Sequence, residues 1–397
     1  AEKLIMGDLP IIPLYHYTTT WLSHNNIEGY YFDPLLGQLI MNYASKEGDA
    51  DIVYHLGATP KSIDPQLNNA TDGAAIIQEC FEGLTTKDAK GDIVPGMAES
   101  WTTSEDGLVW TFKLRDAKWS DGQPVKAQDF VYAWQRAVDP ETACEYSYQV
   151  WYVKNGEAIS NGEMDKSELG VKAVDDKTLE VTLGSPCGYF TQLTAFPTLY
   201  PVREDIVSAN DAWANSPDSY ICNGPFKMTK FEMGNEIVIE PNAEYWNASA
   251  ICKSKVINKL TDDAGAALAA FENGEMDVCM NFDPDETQRM KDAGFFNVNA
   301  TVGTYFICIN LEGDQELLKE VDFRKALALA INRDELIEIL QNEAIPAYGF
   351  VPPGVPDADG GDFKENSGQY FGSGDYEKDC QEARELIQGL GYKVPEA

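Results

Sequence analysis

The stretch Met97–Arg136, MAESWTTSEDGLVWTFKLRDAKWSDGQPVKAQDFVYAWQR, decides the fold class of this chain. From Leu108 to Arg115 apolar and polar residues alternate, and this period of two predicts a half-buried β-strand. The Ser120-Asp121-Gly122 triplet predicts a turn, and beyond it Phe130 and Trp134 recur at helical spacing. The stretch contains no motif of a nucleophile, a metal cluster or a phosphate loop. It predicts a strand, a turn and a helix in succession, which is a mixture of α and β structure.

The same mixture of strands and helices continues outward from this stretch. The patterns predict a hairpin at 171–183, a strand at 236–240, a helix at 265–271, a helix capped by Asp322, a helix started by Asn332 and Glu335, a surface loop at 356–375, and a helix at 379–391. The fold class is therefore α/β.

Length and composition restrict the class of protein further. A chain of 397 residues with 44% apolar content is too long for one ordinary core, so two or three domains are expected. No apolar run approaches the roughly 20 residues that span a bilayer. The net charge of −35 argues against a nucleic-acid partner and against an anionic membrane surface, because both would repel the chain. We interpret it as a solvated acidic surface.

The cysteines and histidines indicate neither a metal site nor a cofactor. Eight cysteines are present and none forms a C-x-x-C pair, so zinc ribbons and redox motifs are excluded. Their wide spacing and apolar neighbours predict buried free thiols and at most one disulfide. Only three histidines are available, which makes a histidine-rich metal site improbable.

Several short motifs lie before and after the stretch Met97–Arg136, and their order along the chain is part of the pattern. They are FEGL at 81–84, NGPFK at 223–227, NAEYW at 242–246, GEMD at 274–277 and VDFRKALALAINRD at 321–334. Together they resemble the extracytoplasmic peptide-binding proteins of ABC importers, the oligopeptide and dipeptide solute-binding family 5. The resemblance implies a two-lobed periplasmic-binding-protein fold of the type II-like class with an accessory domain.

One segment departs from the family order. Residues 1–44 resemble the C-terminal end of family members, yet they come first here, with a seam near 45–50. The chain also stops before roughly one further domain's worth of family sequence. We expect a permuted chain order that lacks an internal second-lobe stretch; a fusion of fragments from two binding proteins is the alternative. If residues 1–44 are displaced C-terminal sequence, their first part should pack beside the strand at 304–310 and their last part against the first lobe near Val53. No signal peptide or lipid-attachment cysteine stands near Ala1, so the targeting segment is expected to be absent.

The resemblance divides the chain into five parts. They are a second-lobe segment at 1–17, first-lobe core at 18–81, an accessory domain at 82–203, further first-lobe core at 204–302, and an incomplete second lobe at 303–397. Hinges are expected where the chain changes lobe, near Thr18 and near Val302-Gly303.

The predicted ligand-binding residues follow from the resemblance, residue by residue. They are Tyr17, Asn69, Ala70, Thr71, Tyr146, Met280, Asn281, Phe282, Thr304, Tyr305, Phe306 and Cys308. The Thr304–Cys308 segment reads as an exposed edge strand, which can satisfy a peptide backbone without reading side chains. Cys308 departs from an acidic residue that some relatives carry there. Arg324 and Asp334 are interpreted as helix-surface or interlobe pairing residues.

The resemblance implies capture of short peptides by lobe closure and delivery to the membrane subunits of an ABC permease. The location would be extracytoplasmic, in the periplasm or as a lipid-anchored lipoprotein at the cell surface. The protein would act as a monomer, without a cofactor, metal or catalytic residue. The alternatives are the same fold with another solute (signalling peptide, nickel chelate, haem or oligosaccharide), a non-functional fragment or scaffold, and a glycoside hydrolase with paired carboxylates.

Overall fold

The computed structural model describes residues 1–88, 90–358 and 360–394, in which strands and helices alternate. The strands are β1 (Ile11–Ser23), β2 (Ile27–Glu28), β3 (Tyr31–Asp33), β4 (Gln38–Ile40), β5 (Ser45–Lys46), β6 (Ile52–Gly57), β7 (Thr85–Lys87), β8 (Ile93–Pro95), β9 (Ala98–Thr103), β10 (Val109–Leu114), β11 (Val171–Asp175), β12 (Thr178–Thr182), β13 (Phe226–Glu232), β14 (Glu236–Pro241), β15 (Val256–Leu260), β16 (Val278–Cys279), β17 (Phe296–Cys308) and β18 (Ile345–Pro346). The helices are α1 (Glu2–Asp8), α2 (Thr71–Cys80), α3 (Ala127–Val138), α4 (Gly156–Ser160), α5 (Phe190–Leu193), α6 (Glu204–Val207), α7 (Ala264–Glu272), α8 (Thr287–Asp292), α9 (Glu316–Lys319), α10 (Val321–Leu329), α11 (Arg333–Leu340), α12 (Phe363–Ser367) and α13 (Tyr376–Gly389).

The chain forms two compact units. Unit 1 contains Ala1–Trp21, Pro34–Gly37 and the chain from Asp283 onward; unit 2 contains Leu22–Asp33 and Gln38–Phe282. The chain therefore passes between the units four times, after Trp21, Asp33, Gly37 and Phe282. The hinge expected at Val302-Gly303 is not supported, because both residues lie inside the continuous strand β17. The five-part domain division stays a prediction.

Unit 2 is built on a mixed sheet in the order β13-β14-β15-β6-β16, continued by the last residues of β1. The β13–β14 and β14–β15 pairs are antiparallel, whereas β15 and β16 each pair with β6 in parallel. Leu22 and Ser23 of β1 lie opposite Cys279 and Val278. The last residues of β1 thus lie one strand away from β6, the strand that contains Val53.

The stretch Met97–Arg136 contributes β9 and β10 to a second, four-stranded sheet in unit 2, in the order β11-β12-β10-β9. The predicted strand is confirmed as β10, with Trp110, Phe112 and Leu114 buried on one face. The predicted hairpin at 171–183 is confirmed as β11 and β12. Antiparallel pairing with one buried face explains the strict alternation in the sequence.

Helix α3 contains Phe130 and Trp134, whose spacing predicted a helix, and one carboxylate secures its start. Asp129 Oδ2 accepts from the backbone N–H of Lys126 (2.9 Å) and from Trp119 Nε1 (3.1 Å). The bond ties the buried Trp119 ring to the first turn of the helix. The indoles of Trp119 and Trp134 are fully buried, so both are core residues of this region.

Unit 1 contains the first part of β1, which pairs with β18 and lies beside β17. Its apolar core joins residues from α1, β1, α10 and α13: Met6, Leu9, Ile12, Leu14, Tyr15, Ala326, Ala328, Leu329, Ala344, Phe371 and Ala383. The first part of the N-terminal segment therefore packs beside β17, which is the neighbour predicted from the sequence.

Several predicted details of unit 1 are wrong. Asp322 lies within the first turn of α10 and Glu320 is the N-cap. Helix α13 begins three residues earlier than predicted, capped by Asp375. The predicted loop at 356–375 contains the helix α12, and its residue 359 lies outside the described residues. By contrast, Asn332 caps α11 as predicted, accepting from Glu335 N at 3.2 Å.

Arg324 is a buried residue and not the surface residue that the sequence suggested. Its guanidinium donates to the carbonyl oxygens of Asp8 and Leu9 and, at 2.8 Å, to that of Leu318. Because the side chain reaches the end of α1, it fixes the N-terminal helix on unit 1.

All eight cysteines lie among the described residues, and all are free thiols there. Six are buried, which agrees with the predicted burial of most thiols. Cys308 is an exception, because the strand that carries it leaves its side chain exposed.

Candidate functional site

Five of the predicted ligand residues lie in unit 1, on β1 and β17. They are Tyr17, Thr304, Tyr305, Phe306 and Cys308. Strand β17 comes last in the strand order of the sheet as far as the described residues go. One edge of β17 therefore presents backbone N–H and C=O groups without a neighbouring strand, and the residues Tyr305–Cys308 are exposed.

Three tyrosine rings cluster on one face of the neighbouring strands β1 and β17. Tyr15 and Tyr17 lie two positions apart on β1 and therefore share a face, with ring centroids 5.4 Å apart in an edge-to-face arrangement. Tyr305 of β17 stacks on Tyr15 at 5.1 Å and meets Tyr17 edge-on at 6.4 Å. Burial, reinforced by the two neighbouring phenols, raises the pKa of Tyr15 above its ordinary value. Because Tyr17 and Tyr305 remain partly exposed, the cluster offers an aromatic surface to a ligand.

A buried hydrogen-bond chain lies next to the tyrosines. Thr304 Oγ1 donates to the carbonyl oxygen of Phe350 at 2.7 Å, so it accepts from His16 Nδ1 at 2.8 Å. This assigns the Nδ1–H tautomer to His16 and leaves Nε2 as a buried acceptor without a hydrogen bond. Burial, with a smaller contribution from Lys364, lowers the pKa of His16 to about 4.

The opposite face of β17 carries a second aromatic contact. Consecutive strand residues point to opposite faces, and Phe306 meets Phe350 edge-on with centroids 5.4 Å apart. Phe306 is partly exposed and the Cys308 side chain is exposed further along the strand. Both faces of the open edge therefore carry aromatic rings.

The remaining predicted residues lie in unit 2, in three separate segments. Asn69, Ala70 and Thr71 form the start of α2, where Asn68 Nδ2 donates to the carbonyl oxygen of Ala70 at 2.9 Å. Asn69 and Thr71 are exposed and Ala70 is half-buried. The Asn68 bond fixes this loop and leaves its neighbours accessible.

The other two segments of predicted ligand residues are Tyr146 and residues 280–282, which follow β16. The half-buried ring of Tyr146 packs edge-on against Phe196 at 5.5 Å. Met280 is half-buried and Asn281 is exposed, whereas Phe282 is buried and offers little surface to a ligand. Contact of these residues with a ligand stays a prediction.

Tyr15, His16 and Phe350 were missed by the sequence analysis. Tyr15 could have been found, because it precedes Tyr17 by two positions on a strand and must share its face. His16 and Phe350 give no local signal, since their partner Thr304 is far away in sequence.

Two motifs of the sequence meet in the core of unit 2. Glu82 accepts from Tyr245 Oη (2.6 Å) and from Trp246 Nε1 (2.8 Å), and Arg115 lies 3.5 Å above the Trp246 ring. Burial raises the pKa of Glu82 to about 7, although both bonds act in the opposite direction. The FEGL and NAEYW motifs therefore have a structural role.

Two further structural findings concern metals and membranes. Within residues 1–88, 90–358 and 360–394, no group of three or more histidine, cysteine or acidic side chains could hold a metal ion. In the same residues, no helix has the length and apolar character needed to cross a bilayer.

Curated proteins with similar sequences are solute-binding proteins. The oligopeptide-binding protein OppA of Bacillus subtilis is 37% identical over 330 residues, which cover 81% of this chain and 60% of OppA. The periplasmic oligopeptide-binding protein OppA of Escherichia coli is 35% identical over 353 residues, covering 86% of this chain and 62% of that protein. The chain thus spans about three fifths of the length of these relatives.

Solved structures give the same result. The Haemophilus influenzae OppA complex with the peptide RPPGFSPFR superimposes with a TM-score of 0.70 at 30% identity, covering 87% of this chain and 68% of that one. The unliganded open form of the murein tripeptide binding protein MppA gives a TM-score of 0.71 at 30% identity, covering 86% of this chain and 66% of that one. Residues 92–396 match the family described as bacterial extracellular solute-binding proteins, family 5 Middle. The chain belongs to this family of extracellular solute-binding proteins.

Proposed function

We propose that this chain captures short peptides outside the cytoplasm and delivers them, chemically unchanged, to the membrane subunits of an ABC permease. The observation that carries the proposal is the open edge of β17 from Thr304 to Cys308. A peptide leaving water must pair its backbone amides, since each unpaired buried amide costs about 1–3 kcal/mol. An unpaired strand edge supplies donors and acceptors at the right spacing.

The aromatic faces beside this edge support a broad choice of peptide side chains. Tyr17 and Tyr305 flank one face and Phe306 the other. Aromatic rings accept apolar, planar and cationic groups alike. We therefore expect di- to pentapeptides to bind with little side-chain preference. The names of the relatives, oligopeptide-binding and dipeptide-binding proteins, support peptides as the ligand class.

Isothermal titration calorimetry with a mixed pool of di- to pentapeptides tests the proposal. Tyr305→Ala should weaken binding roughly five- to tenfold, because it removes an aromatic contact of about 1 kcal/mol or more. Tyr376→Ala is the matched control, since Tyr376 of α13 is 42% exposed against 48% for Tyr305 and lies in the same unit. Heat only from sugars or nickel would overturn the proposal, as would equal losses in both variants.

A second candidate function is capture of a flat apolar solute. The probable deoxycholate-binding periplasmic protein YgiS of Escherichia coli is 32% identical over 308 residues, covering 76% of this chain and 57% of that protein. The tyrosine cluster would suit such a solute. Deoxycholate belongs in the same titration series, and binding of deoxycholate without peptide binding would favour this candidate.

A further inference from the structure

Two exposed aromatic rings lie at the short 3₁₀ helix Ser147–Val150 of unit 2. Tyr148 of this helix is 46% exposed, and Trp151, which follows the helix directly, is 38% exposed. All eight tryptophans lie among the described residues, and Trp151 alone among them is exposed rather than buried or half-buried. Tryptophan is highly buried on average in folded proteins, so an exposed indole beside an exposed tyrosine indicates a contact surface.

The geometry of the turn places both rings on one face. In a 3₁₀ turn, residues three positions apart lie in line, about 6 Å from each other along the axis. The N–H of Trp151 donates to the carbonyl oxygen of Tyr148 at 3.2 Å, which is the hydrogen bond of such a turn. The turn therefore includes the tryptophan. We call Tyr148 and Trp151 the aromatic platform.

Neighbouring groups hold both rings of the platform in place. The indole Nε1 of Trp151 donates to Ser160 Oγ on α4 at 2.9 Å. The half-buried ring of Tyr146 meets the ring of Tyr148 edge-on, with centroids 5.9 Å apart, and itself packs against Phe196. Rings that are already fixed lose little conformational entropy when a ligand stacks on them, so the platform is prepared for binding.

The platform belongs to an uncharged stretch of a strongly acidic chain. Residues 146–153, YSYQVWYV, contain no acidic or basic residue, although the chain carries a net charge of −35. Glu145 and Lys154, one residue of each sign, flank the stretch. The partly exposed Ser147 and Gln149 add a neutral hydroxyl and a neutral amide. A ligand that matches this surface has flat apolar faces and uncharged polar edges.

The area of the platform indicates a small ligand rather than a protein partner. An aromatic side chain buries 150–250 Å² when it is fully covered, so two rings exposed by about two fifths offer roughly 200 Å² together. Stable protein interfaces bury about 800 Å² on each partner. The platform alone is therefore too small for such an interface and suits a ligand of a few rings.

We propose that the aromatic platform binds neutral oligosaccharides with equatorial ring substituents, one sugar ring stacked on Tyr148 and the next on Trp151. Such a pyranose ring carries C–H groups on both faces, and these pack against the negative face of an aromatic ring. Its hydroxyls lie around the edge, where neutral groups such as Ser147 and Gln149 can pair with them. The spacing of about 6 Å between the two platform residues is close to the length of one sugar unit in an extended β-linked chain.

Fluorescence titration of the full chain with cellotetraose, chitotetraose and maltotetraose tests the proposal. A sugar stacked on Trp151 removes water from the exposed indole, so the two β-linked sugars should shift the emission to shorter wavelength in a saturable way. Maltotetraose, whose α-linked chain curves, should bind more weakly. An unchanged emission with all three sugars would overturn the proposal, and so would equal affinities for the straight and the curved sugars.

Calorimetry of variants locates the site. Tyr148→Ala should weaken chitotetraose binding roughly three- to tenfold, because it removes one aromatic stacking contact. Tyr148→Phe keeps the ring and should bind nearly as well as the wild type. Tyr376→Ala is the matched control, since Tyr376 is 42% exposed but lies in unit 1. Equal losses in Tyr148→Ala and Tyr376→Ala would contradict the platform. If Tyr148→Ala fails to fold, the wild-type order of affinities for the three sugars still decides.

Two further arms identify the source of the sugar and the competing occupant. Cosedimentation with chitin, released by chitotetraose, would support an insoluble glycan as the ligand, whereas binding of the free oligosaccharides alone would support a dissolved one. A proline-rich peptide also offers flat apolar rings. Binding of such a peptide to the platform without binding of any sugar would overturn the saccharide assignment. Peptide binding at the β17 edge is measured separately with Tyr305→Ala, so either proposal can fail without the other.

Discussion

At the scale of single residues, His16 is a buried histidine whose protonation is coupled to folding. Thr304 Oγ1 accepts a hydrogen bond from its Nδ1. Of the charged groups nearby, Lys364 lowers the pKa of His16 and Glu2 raises it. Glu2 is itself held in place, since its Oε1 accepts from the N–H groups of Phe350 (2.6 Å) and Val351 (2.8 Å). These bonds bring the start of α1 to the chain that follows β18.

Unit 1 should therefore lose stability in mild acid. The pKa of His16 falls from an ordinary 6.5 to about 4 in the folded state, so below pH 6.5 the unfolded chain binds a proton that the folded chain does not. Stability then decreases as the pH falls from 6.5 towards 4, by about 3 kcal/mol over the whole window. Urea unfolding followed by far-UV circular dichroism at pH 4.5, 5.5, 6.5 and 7.5 measures this slope.

His16→Gln is the variant that isolates this contribution, because glutamine keeps a donor for Thr304 and does not titrate. Its stability should change less between pH 6.5 and 4.5 than that of the wild type. Burial also lowers the pKa of His55 and raises that of Glu82, and these two groups act on stability in opposite directions, so the difference between the slopes of the two proteins is the quantity that reports on His16. Parallel slopes in the two proteins would show that His16 is not the group responsible.

At the scale of secondary-structure elements, Arg333 joins three parts of unit 1. Its guanidinium donates to the carbonyl oxygens of Pro13 on β1 (2.7 Å), Ala347 after β18 (2.9 Å) and Ala328 on α10 (2.8 Å). The ring of Phe371 lies 4.9 Å away. Burial lowers the pKa of this arginine to about 10, and the carbonyl oxygens surrounding it satisfy its N–H groups.

Arg333→Ala should cost unit 1 about 3 kcal/mol or more, because it leaves several buried carbonyl oxygens unpaired. Urea unfolding at pH 7.5 provides the measurement. Lys319→Ala is the control, since its exposed ion pair with Glu316 should contribute less than about 1 kcal/mol. Similar stability of the two variants would show that solvent replaces the lost arginine.

Local patterns predicted elements well where the sequence itself sets the periodicity. The alternation around Phe112 and the helical spacing of Phe130 and Trp134 both correspond to faces that are buried. Helix starts were less accurate, as with Asp322, because a first-turn aspartate and an N-cap aspartate look alike without backbone angles. The stacking of Tyr15 on Tyr305 was not predicted from local patterns, which do not show which strands pair; only the family resemblance indicated that the first residues lie beside β17.

At the scale of the whole molecule, the resemblance anticipated the family and the neighbours of the first 44 residues, but not where the chain changes unit. The crossing after Phe282 follows β16, whereas the sequence suggested Gly303 because glycine is conformationally permissive. In the structure this glycine has another role. A Cβ on Gly303 would lie 2.8 Å from Cδ2 of the Tyr17 ring, so glycine allows the ring to approach β17.

The net charge of −35 should make the whole chain more stable in salt. Like charges repel in the compact state, and raising NaCl from 0.05 to 0.5 M shortens the screening length to a few ångströms. The urea midpoint should rise, and the free energy of unfolding should increase by on the order of 1 kcal/mol. Sodium chloride is preferable to sulfate, which stabilises proteins by surface exclusion. A midpoint that falls with NaCl would show that attractive ion pairs outweigh the repulsion.

The division into two units has a consequence for spectroscopy. Seven of the eight tryptophans belong to unit 2 and unit 1 contains Trp21 alone. Indole emission will therefore report almost entirely on unit 2, while the Tyr15, Tyr17 and Tyr305 cluster contributes little to a spectrum excited at the red edge of indole absorption. A peptide that touches only the β17 edge could bind without changing the fluorescence. A tryptophan introduced in place of Phe306 would give that edge a signal of its own.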